Sequence, residues 1–217
     1  MTGHLVYSPL IVYTAIVLGG ELTLDQITIW VYVSIVLGLL LDLVVTAALV
    51  YGTFQQLRGR HASIGESIGV GLKRLFPVLG VGILAGLFIL GGLLLLVIPG
   101  LIFMCMLWVA VPVAVVERPG VVASLKRSAE LTGGYRWSVF GILFVLNGIE
   151  RIVDKVLEKS FIDPPQDMGD IKVYLVLVLG IGILLGSLQA VASAVGYHDL
   201  RQSKEGVGIE ELARVFE

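Results

Sequence analysis

The sequence predicts an all-α fold, a polytopic membrane helical bundle of about six transmembrane helices with interfacial amphipathic helices on the cytoplasmic side. Residues 75–116 contain no Asp, Glu, Lys, Arg or His. The whole chain is 57% hydrophobic and 15% charged, with a mean hydropathy of +0.95, whereas soluble domains average about 25% charged residues. Because no polar stretch is long enough for a separate soluble domain, we interpret residues 1–217 as one integral membrane domain.

Six spans can be placed along the chain. One crossing needs about 20 apolar residues, so the charge-free run is long enough for two, and Pro99-Gly100 near its middle predicts the turn between them. The fifth span is apolar only as far as Ile149, and we expect its helix to continue as an amphipathic segment that ends at Asp163-Pro164. The predicted spans are residues 5–20, 27–57, 76–98, 101–116, 137–159 and 173–197.

The basic residues orient these spans. Eleven of the 15 Lys and Arg residues lie in 58–74, in 117–136 and after residue 200. Because positive loops stay in the cytoplasm, both termini are predicted to be cytoplasmic, and the Pro99-Gly100 turn and the 150–172 loop are predicted to be external. The first residues lack the positive region of a signal peptide, so we expect the first span to be retained.

The cytoplasmic connections are amphipathic. Ser63 and Glu66 have capping-box spacing, and the apolar residues that follow repeat every fourth position, as on one helix face. Similar apolar stripes follow Pro119-Gly120 and occur in the C-terminal tail. Such helices suit lipid headgroups, although packing against the inner rim of the bundle explains the pattern equally well. The stripes are Ile64, Ile68 and Leu72; Val121, Val122, Leu125 and Leu131; and Ile209, Leu212, Ala213 and Phe216. The basic residues expected to contact headgroups are Lys73, Arg74, Lys126 and Arg127.

Two glycine-rich heptapeptides, 80–86 and 180–186, are nearly identical. Internal duplication is one explanation, and chance similarity in apolar sequence is another. Each heptapeptide contains small residues four positions apart, a spacing that lets helix backbones approach closely. We therefore predict helix packing at Gly82, Gly86, Gly182 and Gly186.

Asp42 is the acidic residue deepest in a predicted span. Ser34, Asp42 and Thr46 share one narrow polar stripe, because they lie at multiples of four residues. A charged carboxylate in hydrocarbon is costly, so Asp42 should face protein or water. It could serve as a proton or cation site on a transport path. The better supported alternative is a neutral carboxyl that locks helices together through Thr46, Gln189 or Asn147.

The sequence contains no catalytic constellation. The histidines His4, His61 and His198 are scattered, and no HExxH, CxxC, GxSxG or phosphate-loop motif is present. The single cysteine, Cys105, is expected to be a packing residue. We therefore expect no enzyme activity, no metal, no cofactor and no nucleic-acid partner.

Three motifs carry a resemblance. They are Leu95-Leu-Val-Ile-Pro-Gly100, the segment 112–137, and Gly196-Tyr-His-Asp-Leu-Arg201 with Gly206 downstream. Their order and spacing resemble the membrane domain associated with some glycerophosphoryl diester phosphodiesterases and related six-span bacterial inner-membrane proteins of unknown function. The resemblance covers about residues 45–217 and implies a bacterial inner-membrane bundle without phosphodiesterase activity, because the catalytic barrel of those enzymes is absent. The matching residues are Pro99, Gly100, Pro112, Glu117, Ser128, Leu131, Gly134, Trp137, Tyr197, Leu200, Arg201 and Gly206.

These observations favour a non-enzymatic integral inner-membrane protein with a scaffold, lipid-interacting or envelope-homeostasis role. Its expected partners are membrane lipids, and a homo-oligomer or other membrane proteins would suit an exposed apolar flank. The alternative is a small transporter or channel with a mid-membrane acidic site at Asp42. An intramembrane enzyme that acts on lipids is the least supported class, because no His or Ser-His pair accompanies the carboxylate.

Overall fold

The computed structural model describes residues 24–160 and 168–206. Within these residues every regular element is an α-helix, which confirms the all-α prediction. The first predicted span, the Asp163-Pro164 helix end and the apolar stripe of the tail lie outside the described residues. In chain order the helices are α1 (Leu24–Leu57), α2 (Ile64–Leu95), α3 (Val97–Leu107), α4 (Ala110–Val116), α5 (Val121–Thr132), α6 (Arg136–Ser160) and α7 (Met168–Glu205).

Four segments of the described residues are long and apolar enough to cross a membrane, which fits a multi-pass protein. They are Val36–Leu57, Ile64–Leu95, Val97–Val116 and Gly180–Glu205. The helix α6 is continuous over Arg136–Ser160, as predicted for the extended fifth span. It does not join the four, because Glu150, Arg151 and Asp154 interrupt its apolar sequence.

The chain divides into two compact units. One comprises Met1–Asp42 and Asn147–Leu188, and the other comprises Leu43–Leu146 and Gln189–Glu217. The second unit contains the three buried apolar clusters of the described residues. It therefore supplies the core described below.

The turn between the third and fourth predicted spans lies at Leu96, not at Pro99-Gly100. Leu96 is extended, with φ −163° and ψ 149°, and it separates α2 from α3. Pro99 lies in the first turn of α3, where its missing N–H costs no helical hydrogen bond. Gly100 faces α2, because a Cβ at this position would lie 2.8 Å from the backbone N of Leu93. The proline therefore begins a helix, and the glycine allows the hairpin to close.

A second difference concerns the N-terminal end of α2. The amphipathic segment after Ser63 and the third predicted span form one continuous helix over Ile64–Leu95, with Pro77 inside it. The Ser63 cap is as predicted, because the Oγ of Ser63 accepts a hydrogen bond from the N–H of Glu66 at 3.1 Å. The Glu66 carboxylate does not complete the capping box; it accepts a hydrogen bond from the Tyr51 hydroxyl at 2.6 Å and so joins α2 to α1.

The fourth predicted span is divided into α3 and α4 by a short break at Trp108 and Val109. Pro112 lies in the first turn of α4 and cannot donate a hydrogen bond to a preceding carbonyl, which is compatible with a helix that begins again after the break. The carbonyl oxygen of Met106, near the end of α3, accepts hydrogen bonds from Ser128 Oγ at 2.7 Å and Thr132 Oγ1 at 3.3 Å. Two hydroxyl groups of α5 therefore satisfy the Met106 carbonyl oxygen at the end of α3. Apolar side chains at these two positions would leave that oxygen without these hydrogen bonds.

The short helix α4 is the centre of the second unit. Its buried residues contribute to all three apolar clusters, Val113 to one, Val115 to another, and Ala110 and Ala114 to the third. Helix α2 and helix α5 both pack against it. Because α4 is fixed on these sides, the chain that leaves its C-terminal end at Glu117 has a defined position.

Candidate functional site

The predicted intramembrane polar residues do not form one buried site in the described part of the chain. Asp42 is exposed, and so are Asn147 and Gln189, while Thr46 is half-buried. Ser34 lies on α1, and its side chain is outside the described set. Ser34, Asp42 and Asn147 belong to the first unit, whereas Thr46 and Gln189 belong to the second.

The closest helix approaches occur at glycines other than the four predicted ones. A Cβ at Gly71 would lie 2.6 Å from the carbonyl oxygen of Val44, and one at Gly196 would lie 2.6 Å from the Trp108 ring. At Gly82 the nearest contact is an ordinary one, 4.0 Å from a Leu43 methyl group. Gly86 and Gly186 have no described neighbour within 4 Å of such a Cβ, and for Gly182 packing stays a prediction. Close contacts between helices therefore occur at Gly71 and Gly196, which the four-residue spacing of small residues did not indicate.

The most organised polar feature is a closed ring of five side chains at one end of the second unit. We call it the ion-pair ring, and it consists of Glu117, Arg127, Tyr197, Arg201 and Glu205. Its members come from the C-terminal end of α4, from α5 and from the last turns of α7. The ring therefore joins the consecutive helices α4 and α5 to α7, which is remote from them in the sequence.

Each member of the ion-pair ring bonds to two others. Arg127 Nε donates to Glu117 at 3.2 Å, and Arg127 Nη2 donates to Glu205. Arg201 Nε donates to the second oxygen of Glu205 at 2.9 Å, and Arg201 Nη1 donates to the Tyr197 hydroxyl at 3.2 Å. The hydroxyl in turn donates to Glu117 at 2.8 Å, which closes the ring. Two cations and two anions alternate around it, so its formal charge is zero.

The ring lies at the boundary of the core. The Tyr197 side chain is fully buried, with 0% of its surface exposed, and packs in the cluster that contains Phe54 and Leu131. The four charged side chains are 19–27% exposed. Burial lowers the pKa of Arg127, but hydrogen bonds and charges from Glu205 and Glu117 outweigh this effect and raise it above its ordinary value. The guanidinium stays charged and paired.

Arg58 adds a cation beside the ring. Its guanidinium carbon lies 4.5 Å from the centre of the Phe54 ring, a cation–π contact, and the Phe54 ring lies 6.0 Å from that of Tyr197. Burial and the like charges of Arg60 and Arg201 lower the pKa of Arg58. The end of α1 therefore contributes to the same cation-rich end of the unit as α7.

The predicted headgroup-contact residues differ in their surroundings. Lys73 and Lys126 are exposed, and Arg74 is half-buried. None of the three takes part in a salt bridge within residues 24–160 and 168–206. Arg127, in contrast, is held by two carboxylates of the ion-pair ring. We call Lys73, Arg74 and Lys126 the rim cations.

The two described apolar stripes also differ. Ile64, Ile68 and Leu72 of α2 are 81%, 46% and 58% exposed, and we call them the rim stripe. In α5, by contrast, Leu125 and Leu131 are buried, and Val121 packs against the core. Packing against the bundle, one of the two sequence interpretations, therefore describes these three residues of α5, whereas Val122 of α5 and the whole α2 stripe are exposed.

Sequence reasoning found part of the ion-pair ring without its connections. Glu117, Tyr197 and Arg201 belong to the motifs that carry the resemblance, and the sequence predicts contact with lipid headgroups for Arg127. Glu205 was not singled out. Its position four residues after Arg201 is a signal for an ion pair on one helix face, and this signal could have identified it.

Comparison with known proteins gives no relative: no family model, no curated protein and no solved structure matches this chain.

Proposed function

We propose that this chain is a non-enzymatic integral membrane protein of the bacterial inner membrane that binds anionic lipid headgroups at its cytoplasmic rim. The proposal includes six spans, cytoplasmic termini and membership of the six-span group that the three motifs resemble. Lipid interaction would underlie a scaffold or envelope-homeostasis role.

The observation that carries this proposal is the exposed rim stripe beside cations that lack a described salt bridge. Ile64, Ile68 and Leu72 repeat every fourth residue on α2, and Lys73 follows directly. A helix surface with an apolar stripe and adjoining Lys or Arg suits the boundary between headgroups and acyl chains. An anionic membrane surface attracts each nearby cation by about 1 kcal/mol.

Helix α5 supplies the second part of the rim. Its inner face is held by Leu125 and Leu131, so its outer face is fixed outward. That outer face presents Val122 and Lys126, one helical turn apart and both exposed. The pairing of an apolar and a basic side chain is therefore repeated on a second helix of the same unit.

The test is retention of anionic lipid by the purified full-length protein, measured by native mass spectrometry. The rim variant combines Lys73→Gln, Arg74→Gln and Lys126→Gln. A matched control combines Lys155→Gln, Arg151→Gln and Lys159→Gln, which removes the same number of Lys and Arg residues from the predicted external face.

We expect the rim variant to lose bound phosphatidylglycerol and the control to keep it. Undiminished lipid binding in the rim variant, or equal loss in both variants, would overturn the proposed lipid site.

A further inference from the structure

We propose that Arg118 and Arg74 together form a binding site for a phosphate monoester, the headgroup of a phosphatidic-acid type lipid. The inference rests on the proposed function and deepens it, because it names one headgroup class and adds Arg118, which the sequence did not single out.

The first observation is the backbone of Arg118. Its φ is +61°, and it is the one residue other than glycine with a positive φ among residues 24–160 and 168–206. Glycine or asparagine occupies this left-handed conformation more readily than arginine does. A locally unfavourable residue in a fixed turn is expected where its side chain serves a function.

The turn that holds Arg118 is well anchored. The N–H of Arg118 donates to the carbonyl of Val113 at 3.4 Å, so the turn is fastened to the buried helix α4. Gly120 follows with a φ of +96° and begins α5. The direction in which Arg118 leaves the backbone is therefore fixed on both sides.

The second observation is the position of Arg74. Helix α2 packs against α4 and α5, and a Cβ at Gly80 would lie 2.9 Å from a methyl group of Val121. Arg74 lies six residues before Gly80, about 9 Å along the helix. Val78, one helical turn after Arg74, and Val115, three residues before Arg118, belong to the same buried cluster. Further along, Val81 packs with Ala110 and Ala114, so the two helices run antiparallel and bring Arg74 and Arg118 to the same end. Arg74 of α2 and Arg118 of the turn between α4 and α5 thus lie at the same end of the unit, and neither has a salt bridge within the described residues.

The ligand class follows from charge and geometry. Like charges repel, so an anion between the two guanidinium groups would relieve their repulsion. Arginine binds phosphate oxygens through paired N–H groups. A phosphate monoester carries about −1.5 to −2 charges at neutral pH, which matches two arginines, whereas a phosphodiester headgroup such as phosphatidylglycerol carries one negative charge. Phe76, exposed two residues after Arg74, offers an apolar surface to the acyl chains.

The experiment compares phosphatidic acid with phosphatidylglycerol, each in nanodiscs that contain the full-length protein, and measures occupancy by native mass spectrometry. We expect the wild-type protein to prefer the monoester by about tenfold, the ratio that about 1.4 kcal/mol would give. Arg118→Gln should remove this preference and leave phosphatidylglycerol bound. Arg60→Gln, which removes another exposed arginine, is the matched control and should keep the preference.

Arg118→Gly guards against a folding defect, because glycine suits the positive φ and the fold should be at least as stable. It should lose the monoester preference as Arg118→Gln does. A soluble competitor, glycerophosphate, distinguishes the source of the phosphate. If it displaces phosphatidic acid at equal concentration, and Arg118→Gln abolishes its binding, the site takes phosphate esters from solution as well as from lipid.

The outcomes separate this inference from the proposed function. If the rim variant loses phosphatidylglycerol but Arg118→Gln keeps the monoester preference, the proposed function stands and the Arg118 site is wrong. If neither lipid binds the wild-type protein and glycerophosphate does not bind either, both are wrong. Glycerophosphate binding that depends on Arg118, without any lipid binding, would overturn both the proposed function and the lipid as the source of the phosphate, and it would make the Arg118 site one for soluble phosphate esters.

Discussion

Tyr197 donates its hydroxyl hydrogen to Glu117 at 2.8 Å, although the two residues lie 80 positions apart in the chain. The same hydroxyl accepts a hydrogen bond from Arg201. A buried tyrosine thus joins the end of α4 to the end of α7. Its ring lies in the core, and its hydroxyl bonds to two charged side chains that are partly exposed.

Replacing Tyr197 by phenylalanine should lower the free energy of unfolding by about 1–3 kcal/mol. The change removes a hydroxyl that donates to Glu117 and accepts from Arg201, and it leaves both partners half-buried without it. Thermal unfolding in detergent measures the effect. Tyr135→Phe is the control, because Tyr135 is exposed. An equal shift in both variants would show that the ion-pair ring does not stabilise the fold.

Glu117 and Arg127 should be energetically coupled. A double-mutant cycle with Glu117→Gln and Arg127→Gln should give a coupling of about 1 kcal/mol, since the pair is less than one-third exposed and belongs to a network. Added salt should reduce this coupling only in part. The control pair is His198 and Asp199, 3.3 Å apart, of which Asp199 is 67% exposed. A coupling there as large as that of the ring pair would contradict the prediction.

Two glycines of α2 should respond in opposite ways to alanine. Gly71→Ala should destabilise the protein by about 1–3 kcal/mol, because the new Cβ would lie 2.6 Å from the Val44 carbonyl oxygen and the backbone would have to move. Gly86→Ala should stabilise it by about 0.5–1 kcal/mol, because no described atom lies within 4 Å and alanine favours the helix. Thermal unfolding of the two variants decides between this assignment and the spacing-based one, which placed the packing at Gly86.

Cysteine labelling tests the placement of Asp42. In a Cys105→Ala background, Asp42→Cys should resist a membrane-impermeant thiol reagent in both intact cells and inverted vesicles. The reason is that a neutral structural carboxyl within a membrane-spanning helix, the better supported interpretation of Asp42, needs no aqueous path. Leu96→Cys should react in intact cells and Arg60→Cys in inverted vesicles, because these turns lie at opposite ends of α2. Reaction of Asp42→Cys would favour the transporter alternative.

The sequence predicted the all-α class because helix formation depends largely on local chemistry. Ser63 caps α2, as expected from its capping-box spacing with Glu66. The prediction of a turn at Pro99-Gly100 was wrong because proline is compatible both with a turn and with the start of a helix. Which of the two forms depends on the contact between Gly100 and α2. Local sequence does not contain that contact.

The candidate sites were harder to predict for a similar reason. Hydrophobic periodicity identifies the apolar face of a helix but not the surface that covers it. The pattern around Ile64 and the pattern around Leu125 are therefore alike, although Ile64 is exposed and Leu125 is buried. Arg127 and Lys126 were equally basic in the sequence. The partners that distinguish them, Glu117 and Glu205, lie 10 and 78 residues from Arg127, and only the folded chain brings them together.

The ion-pair ring also constrains the order in which the protein can be completed. Glu117 and Arg127 are synthesised well before the three ring residues of α7. The ring can therefore close only after α6 and most of α7 have been synthesised. Until then Arg127 has a single carboxylate partner and Glu117 lacks its tyrosine. Closure of the ring therefore reports that the last helix has been made and inserted, and a ribosome stalled before residue 197 would leave this end of the protein open to quality-control proteases.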